Sequence, residues 1–484
     1  MKKPRIGLLK PAEWTLTAFS AGLLLISFPP FSAGFAAWFG LAPLFCVLLL
    51  NNSPRKALNL GYVWGLIFFL GTLHWFYQTV GAFGFILIGI LSIFPAIFSS
   101  LVTFIRKKHG PATAAVLIPF IWTGIEYFRS ELWYLKFAWA GLGYSQHAYT
   151  PMIQISDITG IYGISFVIAL SNSSIALLII YLTGIRTEHP AVSRKATLAL
   201  SAIALLLVAA ESIYGGICMN RDYSSGKWIT VAGLQSDVIT PKELEVTRDE
   251  LKKASAPVRL IVWPEYSLAL FIDESFWMLE GIESVAKDSN AYFLFGGKEK
   301  VGKDNYDTKF NNTAFLVSPE GKIAGRAVKM NPIQFFSDGL PGRKFGVLKT
   351  DFAVLGVGIC YDMDYTYVSR NLAALGAEML VFPTLDDATW GRVQHLQHAA
   401  MSPFRAVENR RYLFRVAASG VSQMVNTHGR IVDSHGIDFQ GAFISRGRLN
   451  AHKTIYTRYG YLFSWLCLAV AAAVVINSFF GKKT

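Results

Sequence analysis

Long apolar runs separated by short charged loops constrain this chain more than any other feature. Eight runs come close to, or exceed, the roughly 17 residues that a helix needs to cross a bilayer. They fall at 13–29, 32–51, 58–80, 83–105, 111–128, 158–184, 196–216 and 460–480. Only 16% of the 484 residues are charged, against about 25% in an average soluble domain. The pattern predicts a helical membrane domain at 1–217, one polar domain at 218–457, and a last span with its tail at 458–484.

Basic residues in alternate loops predict the orientation of the chain. One set of loops and termini carries fourteen of them: Lys2, Lys3, Arg5, Lys10, Arg55, Lys56, Arg106, Lys107, Lys108, Arg186, Arg194, Lys195, Lys482 and Lys483. The other short loops carry Arg129 and Lys136. Since cytoplasmic loops are enriched in lysine and arginine, both termini are expected in the cytoplasm and 218–457 outside it.

The net charge of +13 follows mainly from these loops. The basic clusters flank predicted spans and lack interleaved aromatic residues, which argues against a nucleic-acid partner. They suit contact with anionic lipid headgroups instead, so membrane lipids are expected partners.

Strand-like and helix-like stretches alternate in the polar domain. Strands are predicted at 228–234, 260–263, 292–297, 313–317, 352–360, 379–382 and 412–417, and helices at 241–256, 273–289, 365–376 and 390–408. Such alternation is typical of α/β layers. Functional sites in such sheets collect at the carboxyl ends of strands.

Three polar residues stand at the ends of apolar runs in this domain: Glu265, Lys329 and Cys360. A free thiol has a pKa near ~8.5 and attacks well only as the thiolate, so Cys360 needs a base. Glu265 is suited to take that proton, and Lys329 to stabilise an oxyanion. The residues by themselves leave open a buried structural cysteine and a solvated or paired Glu and Lys. The other cysteines (Cys46, Cys218 and Cys467) lie in or beside predicted spans, so no disulfide is expected within the polar domain.

The order Trp263-Pro-Glu265, Lys329 and Ile359-Cys360-Tyr361 is similar to the Glu-Lys-Cys triad of the nitrilase superfamily. Seven predicted spans before such a domain and one after it resemble the bacterial apolipoprotein N-acyltransferase family. Further segments resemble the same family, at 137–146, 394–411 and 457–460. The resemblance covers nearly the whole chain and implies an eight-helix membrane domain with an inserted nitrilase-like αββα sandwich.

The resemblance also implies a reaction. Glu265 would deprotonate Cys360, which would attack a phospholipid ester and release lysophospholipid. The amine of a diacylglyceryl-cysteine lipoprotein would then take the acyl chain from the thioester. The implied partners are a phospholipid donor and a diacylated lipoprotein acceptor. No metal or cofactor is implied. The implied protein is a monomer in the bacterial inner membrane with its catalytic domain on the periplasmic side.

The chain departs from the family pattern in several places. The family has a functional Glu in a loop after its lysine, where this chain has Ser337, with Asp338 next to it as a substitute. The acid after Cys-Tyr is Asp362 rather than Glu. A Trp expected after the first strand is missing, and the Asn-Asp-x-Trp segment becomes Asp386-Asp387-Ala-Thr-Trp390. These changes put substrate positioning and the acceptor in question.

Lesser candidates have equally good structural interpretations. Tyr361 either lines the site or packs in the core. Phe335, Phe336 and Trp390 either form lipid-facing loop tips or pack ordinarily. Asn312 and Glu408 are interpreted as structural. His395 and His398 share a helix face, but no neighbouring Cys or Glu completes a zinc motif.

Two rival hypotheses remain from the sequence. A membrane-anchored amidase of the nitrilase type would use the same triad with water as acceptor. A silent scaffold would keep the fold without the reaction, and the reactivity of Cys360 towards alkylation would separate it from an enzyme.

Overall fold

The computed structural model describes residues 10–185, 192–223, 226–302 and 309–480. The chain forms two compact units: one comprises 1–219 and 461–484, the other 220–460. The basic residues Lys2, Lys3, Arg5, Arg186, Lys482 and Lys483, used above for orientation, lie outside the described residues.

The first unit is helical. Its described α-helices are α1 (Lys10–Leu25), α2 (Ala37–Gly40), α3 (Ala42–Leu50), α4 (Pro54–Thr72), α5 (Phe76–Val80), α6 (Phe83–Leu91), α7 (Ile93–His109), α8 (Pro111–Tyr127), α9 (Ser156–Thr159), α10 (Ile161–Thr183) and α11 (Arg194–Met219), and the chain returns to this unit in α18 (Leu462–Phe480). Proline at the first position and an N-cap bond from Lys56 N to Ser53 fix the start of α4. Both are standard ways to begin a helix.

Four of the described helical segments are long and apolar enough to cross a membrane: Phe83–His109, Pro111–Leu132, Ile161–Thr183 and Arg194–Met219. The runs predicted at 32–51 and 460–480 form shorter apolar helices, Gly34–Leu50 and Leu462–Ser478. Helix α1 has 16 residues. Four of the eight predicted spans thus qualify by length and composition among the described residues, and the eight-helix arrangement stays a prediction.

Asn172, buried in the middle of α10, shows how one such turn is held. Its side-chain oxygen accepts from the backbone N–H groups of Leu41 and Ala42, and its amide donates to the carbonyl of Ala37. Backbone groups freed between α2 and α3 therefore find partners without water, as an apolar surrounding requires.

The second unit contains two six-stranded sheets. The strands are β1 (Trp228–Gln235), β2 (Val258–Val262), β3 (Tyr292–Lys300), β4 (Phe310–Val317), β5 (Ile323–Val328), β6 (Gly346–Lys349), β7 (Val354–Val357), β8 (Met379–Thr384), β9 (Tyr412–Ala417), β10 (Ser422–Val425), β11 (Ile431–His435) and β12 (Gly441–Arg448). The orders are β12-β1-β2-β3-β4-β5 and β11-β10-β9-β8-β7-β6. The pairs β1–β2, β2–β3, β7–β8 and β8–β9 are parallel, so their carboxyl ends share an edge.

The two sheets face each other across a core to which both contribute, with Val262 and Leu294 from one sheet and Val357 and Val381 from the other. The helices of this unit are α12 (Pro241–Lys252), α13 (Phe276–Ser289), α14 (Thr366–Ala374), α15 (Arg392–Ala399), α16 (Ser402–Asn409) and α17 (Ile455–Tyr459). Helices α12 and α13 cover the first sheet, and α14 and α16 contact the second. The unit is an α/β fold with two sheets, as predicted.

The prediction of a single helix at 390–408 is wrong. A short turn at Ala388–Trp390 is followed by α15 and then by α16. Pro403 is the cause, because it has no N–H and clashes with the preceding turn inside a helix. It lies instead in the first turn of α16, where proline is tolerated.

Candidate active site

Glu265 stands in a sharp turn just beyond β2. Its neighbour Tyr266 has a positive φ of 55°, and Gly296 of β3 lies so close that a Cβ there would be 2.5 Å from the Tyr266 nitrogen and 2.7 Å from the Glu265 Cα. Only glycine allows this approach. The turn thereby brings the Glu265 carboxylate, 3% exposed, into the interior.

Lys329 follows β5 directly and is fully buried. Its Nζ lies 2.8 Å from Glu265 Oε1 and 2.7 Å from Asp338 Oδ2. Asn312 joins the same two carboxylates, donating to Glu265 Oε1 at 2.6 Å and to Asp338 Oδ1 at 2.8 Å. Buried charges are tolerated when they are paired and hydrogen-bonded in this way.

Of the two residues considered for the missing family Glu, the structure turns Asp338 inward and Ser337 outward. Asp338 is 5% exposed and also accepts from Tyr266 Oη at 2.9 Å and from the Ile333 N–H at 2.7 Å. Ser337 is exposed. A carboxylate shifted by one position along the loop therefore reaches the lysine.

Cys360 is the third residue after β7 and begins a one-turn 3₁₀ helix, Cys360–Met363. Its φ of 47° is uncommon for a residue with a side chain and marks local strain. Asp362 holds this turn: it accepts from the N–H groups of Ile359, Met330 and Asn331. The shorter acid thus links the cysteine turn to the segment after Lys329.

Leu385, just past β8, connects the cysteine to the glutamate. Its N–H donates to Glu265 Oε2 at 2.9 Å, and its carbonyl accepts from the Cys360 thiol at 3.5 Å. The structure therefore brings Glu265, Lys329 and Cys360, which the sequence singled out, into one cluster.

Electrostatics leave the resting thiol protonated. Burial raises the pKa of Cys360 well above its usual value, and the Glu265 carboxylate raises it further against the effect of Lys329. Burial also raises the pKa of Glu265, opposed by Lys329. Burial would lower the pKa of Lys329, but Glu265, Cys360 and Asp338 raise it, so it stays cationic. A thiol in this setting needs a base at the moment of attack, and a raised carboxyl pKa suits that task.

The remaining predicted residues surround this cluster. Tyr361 is partly buried and packs its ring edge-on against Tyr365 at 5.1 Å between centroids. Phe335 is 57% and Phe336 40% exposed. The Phe336 ring lies 6.0 Å from that of Trp390, so the two aromatic loops meet.

The sequence missed three parts of the site. Asn312 was interpreted as structural, yet it contacts both carboxylates, and Tyr266 was not considered. The sequence showed no Glu or Cys set that would complete a zinc motif with His398, but its ring nitrogens face Asp364 at 3.1 Å and Asp386 at 2.7 Å. The two aspartates at 386–387, where the sequence differs from the family pattern, could have indicated acidic partners for His398.

Two family models match this chain, one in each unit. The family model described as apolipoprotein N-acyltransferase N-terminal domain matches residues 20–174. The model described as carbon-nitrogen hydrolase matches residues 229–457. The second unit is thus a carbon-nitrogen hydrolase domain.

Relatives match the full chain. A protein named apolipoprotein N-acyltransferase from Geobacter metallireducens is 29% identical, covering 100% of this chain and 98% of the relative. One of the same name from Pseudomonas paraeruginosa is 27% identical over 97% of this chain and 96% of its own. The chain is therefore similar over its whole length to the apolipoprotein N-acyltransferase family.

Among solved structures, Saccharomyces cerevisiae Nit3, a member of branch 10 of the nitrilase superfamily, is 22% identical with a TM-score of 0.39, covering 47% of this chain and 92% of that one. An amidase from Nesterenkonia sp. is 19% identical with a TM-score of 0.38, over 48% and 93%.

Proposed function

We propose that this protein transfers a fatty acyl chain from a phospholipid, through a thioester on Cys360, to the N-terminal amine of diacylglyceryl-cysteine lipoproteins. The observation that carries the proposal is the Leu385 bridge: one residue binds Glu265 through its N–H and the Cys360 thiol through its carbonyl. Full-length similarity to relatives named apolipoprotein N-acyltransferase supports the substrates.

In the first half-reaction, the Glu265 carboxylate takes the thiol proton as the Cys360 sulfur attacks the ester carbonyl. The developing oxyanion is stabilised by the Lys329 ammonium, a fixed charge in a dry site. Collapse of the tetrahedral intermediate breaks the ester C–O bond. The leaving alkoxide takes the proton from Glu265 and departs as lysophospholipid, which leaves the acyl chain on sulfur.

In the second half-reaction, the acceptor amine attacks the thioester carbonyl and gives its proton to Glu265. The C–S bond breaks, and the Cys360 thiolate regains the proton, so the enzyme returns to its starting state. Exclusion of water from the buried thiol, 2% exposed, favours the amine over hydrolysis.

The proposal includes the setting. We place the first unit in the bacterial inner membrane as an eight-helix, multi-pass domain with both termini in the cytoplasm. The segment 218–457 is placed on the periplasmic side, followed by the span and tail at 458–484. The protein is proposed to act as a monomer. The aromatic tips Phe335, Phe336 and Trp390, exposed or partly exposed, suit contact with lipid.

Intact-mass spectrometry of the purified protein in phospholipid micelles tests the function. We expect a gain of one acyl chain that hydroxylamine removes, and loss of that adduct with transfer to a diacylglyceryl-cysteine peptide. Release of free fatty acid with no acylated peptide would show ester hydrolysis with water as acceptor and would contradict acyl transfer. An unmodified protein whose Cys360 still alkylates would instead support the amidase hypothesis.

Asp338→Asn tests which residue replaces the family Glu. The change removes one of the two carboxylates that hold Lys329, and a displaced catalytic group can cost about 100-fold in rate. We expect a loss of this order in single-turnover thioester formation. Ser337→Ala, the matched control, should stay within about twofold because exposed positions rarely matter. The reverse ranking would assign the role to Ser337.

A further inference from the structure

Four buried charged residues lie behind Cys360 and take no part in the mechanism above. Asp364, Asp386 and Arg415 are 0% exposed and His398 is 2% exposed. They come from separate elements: Asp364 ends the turn that Cys360 begins, Asp386 follows β8, His398 lies in α15 and Arg415 in β9. Charges are buried at this depth only when they are paired.

His398 bridges the two acids. Its Nδ1 lies 2.7 Å from Asp386 Oδ1, and its Nε2 lies 3.1 Å from Asp364 Oδ1. Each ring nitrogen therefore faces a carboxylate oxygen, an arrangement that stabilises the imidazolium form of the ring. Burial lowers the pKa of His398, but the two carboxylates outweigh it and raise the pKa to about 9.

Arg415 completes the cluster. Its Nη2 pairs with Asp386 Oδ2 and lies 3.1 Å from His398 Nδ1. Gly420 leaves room for this carboxylate, since a Cβ there would collide with Asp386 Oδ2. Two cations and two anions balance, and the donor set is already engaged by protein cations rather than open to a metal ion.

The cluster is joined to the reacting residues on both sides. Asp386 is the next residue after Leu385, whose backbone binds Glu265 and the Cys360 thiol. The Cys360 Sγ, an Asp386 oxygen and a His398 nitrogen all lie within 4.8 Å of one another. His398 therefore ties the turn that carries the cysteine to the strand end that carries Leu385.

We infer that His398 is a positioning residue: by bridging Asp364 and Asp386 it holds the Leu385 backbone against Glu265 and Cys360. The inference rests on the proposed function, in which Glu265 must meet the thiol. His398 needs no contact with substrate. Within the described part of the chain, Asp364, Asp386, Arg415 and Cys360 are charged or titratable groups that face it.

The test compares His398→Gln with the double variant His398→Gln/Asp364→Asn. The single variant leaves one unbalanced buried negative charge beside the thiol, whereas the double variant restores neutrality. We expect the single variant to form the acyl thioester about 100-fold more slowly, as for a displaced catalytic group. The double variant should form the thioester at least about tenfold faster than the single variant, which corresponds to a change of one unit in the pKa of the thiol. A side chain that only fills space would show no such recovery.

The pH profile gives a second readout. Wild-type thioester formation should fall as the pH rises through about 9, where the imidazolium of His398 loses its proton. The double variant, which has no imidazole there, should lack this decline. If His398→Gln does not fold, the pH profile of the double variant, compared with that of the wild type, tests the role of His398 by itself.

Iodoacetamide alkylation of Cys360 at a fixed pH separates this inference from the proposed function, because it needs no acyl donor. Should the wild type form no thioester, the function fails, yet alkylation should still be slow in His398→Gln and faster in the double variant. His435→Gln, which removes a histidine near Asp433, is the matched control and should behave as wild type. A double variant no faster than the single one, or a single variant equal to wild type, overturns the inference.

Discussion

Replacing Cys360 with alanine should abolish the hydroxylamine-sensitive acyl adduct and all transfer to the acceptor peptide. The sulfur is the atom that would carry the acyl chain. The other described cysteines lie in the helical unit: Cys46 and Cys467 are within helices α3 and α18, and Cys218 is near the end of α11. The measurement is intact mass after incubation with phospholipid. We expect the loss to reach the detection limit, since removal of a nucleophile commonly costs about 10⁶-fold.

The variant should remain folded, so the loss will report chemistry. Removing one buried sulfur atom deletes little volume, and small core truncations cost about 1 kcal/mol. Alanine tolerates the positive φ of position 360 no worse than cysteine does. Cys218→Ala is the matched control and should keep the full adduct. An adduct that survives in Cys360→Ala would move the nucleophile elsewhere.

Glu265→Gln should slow thioester formation by roughly 10³-fold, within the usual range for loss of a general base. The amide keeps the shape of the side chain but cannot take the thiol proton, and burial already holds the pKa of Cys360 high. Its NH₂ group must also face a donor, either the Lys329 ammonium or the Leu385 N–H. Quenched single-turnover assays with mass detection measure the rate.

The pH dependence of the rate of thioester formation tests whether Glu265 acts as a base. The group acts as a base only when ionised, so the wild-type rate should fall as the pH drops through the raised pKa of Glu265. This acid limb should lie above the ordinary glutamate range and vanish in Glu265→Gln. Glu299→Gln, which breaks a partly exposed pair with Arg326, should change the rate less than about twofold, because exposed ion pairs contribute little. Normal turnover in Glu265→Gln would contradict its role as base.

Local sequence was sufficient for elements whose pattern is complete within a short window. The strand predicted at 412–417 is β9, Tyr412–Ala417, and the strand predicted at 228–234 extends by one residue in β1. The strands β10, β11 and β12 were not predicted. Of these, β11 is largely exposed, and two of the three buried positions of β12 are Ser445 and Gly447, so their apolar pattern is faint.

The sequence by itself determined which chemistry is available, because a Glu, a Lys and a Cys at strand ends can be recognised from residue types and spacing. Only the tertiary structure decided which side chains form hydrogen bonds with these residues. Asn312 meets Glu265 across 47 residues of sequence, and Tyr266 meets Asp338 across 72. The tertiary structure also decided that Asp338 rather than Ser337 contacts Lys329, and that Asp364 and Asp386 contact His398. Such pairs form where separate strand ends and loops converge, and hydrogen bonds of this kind are set by three-dimensional distance, which no local periodicity encodes.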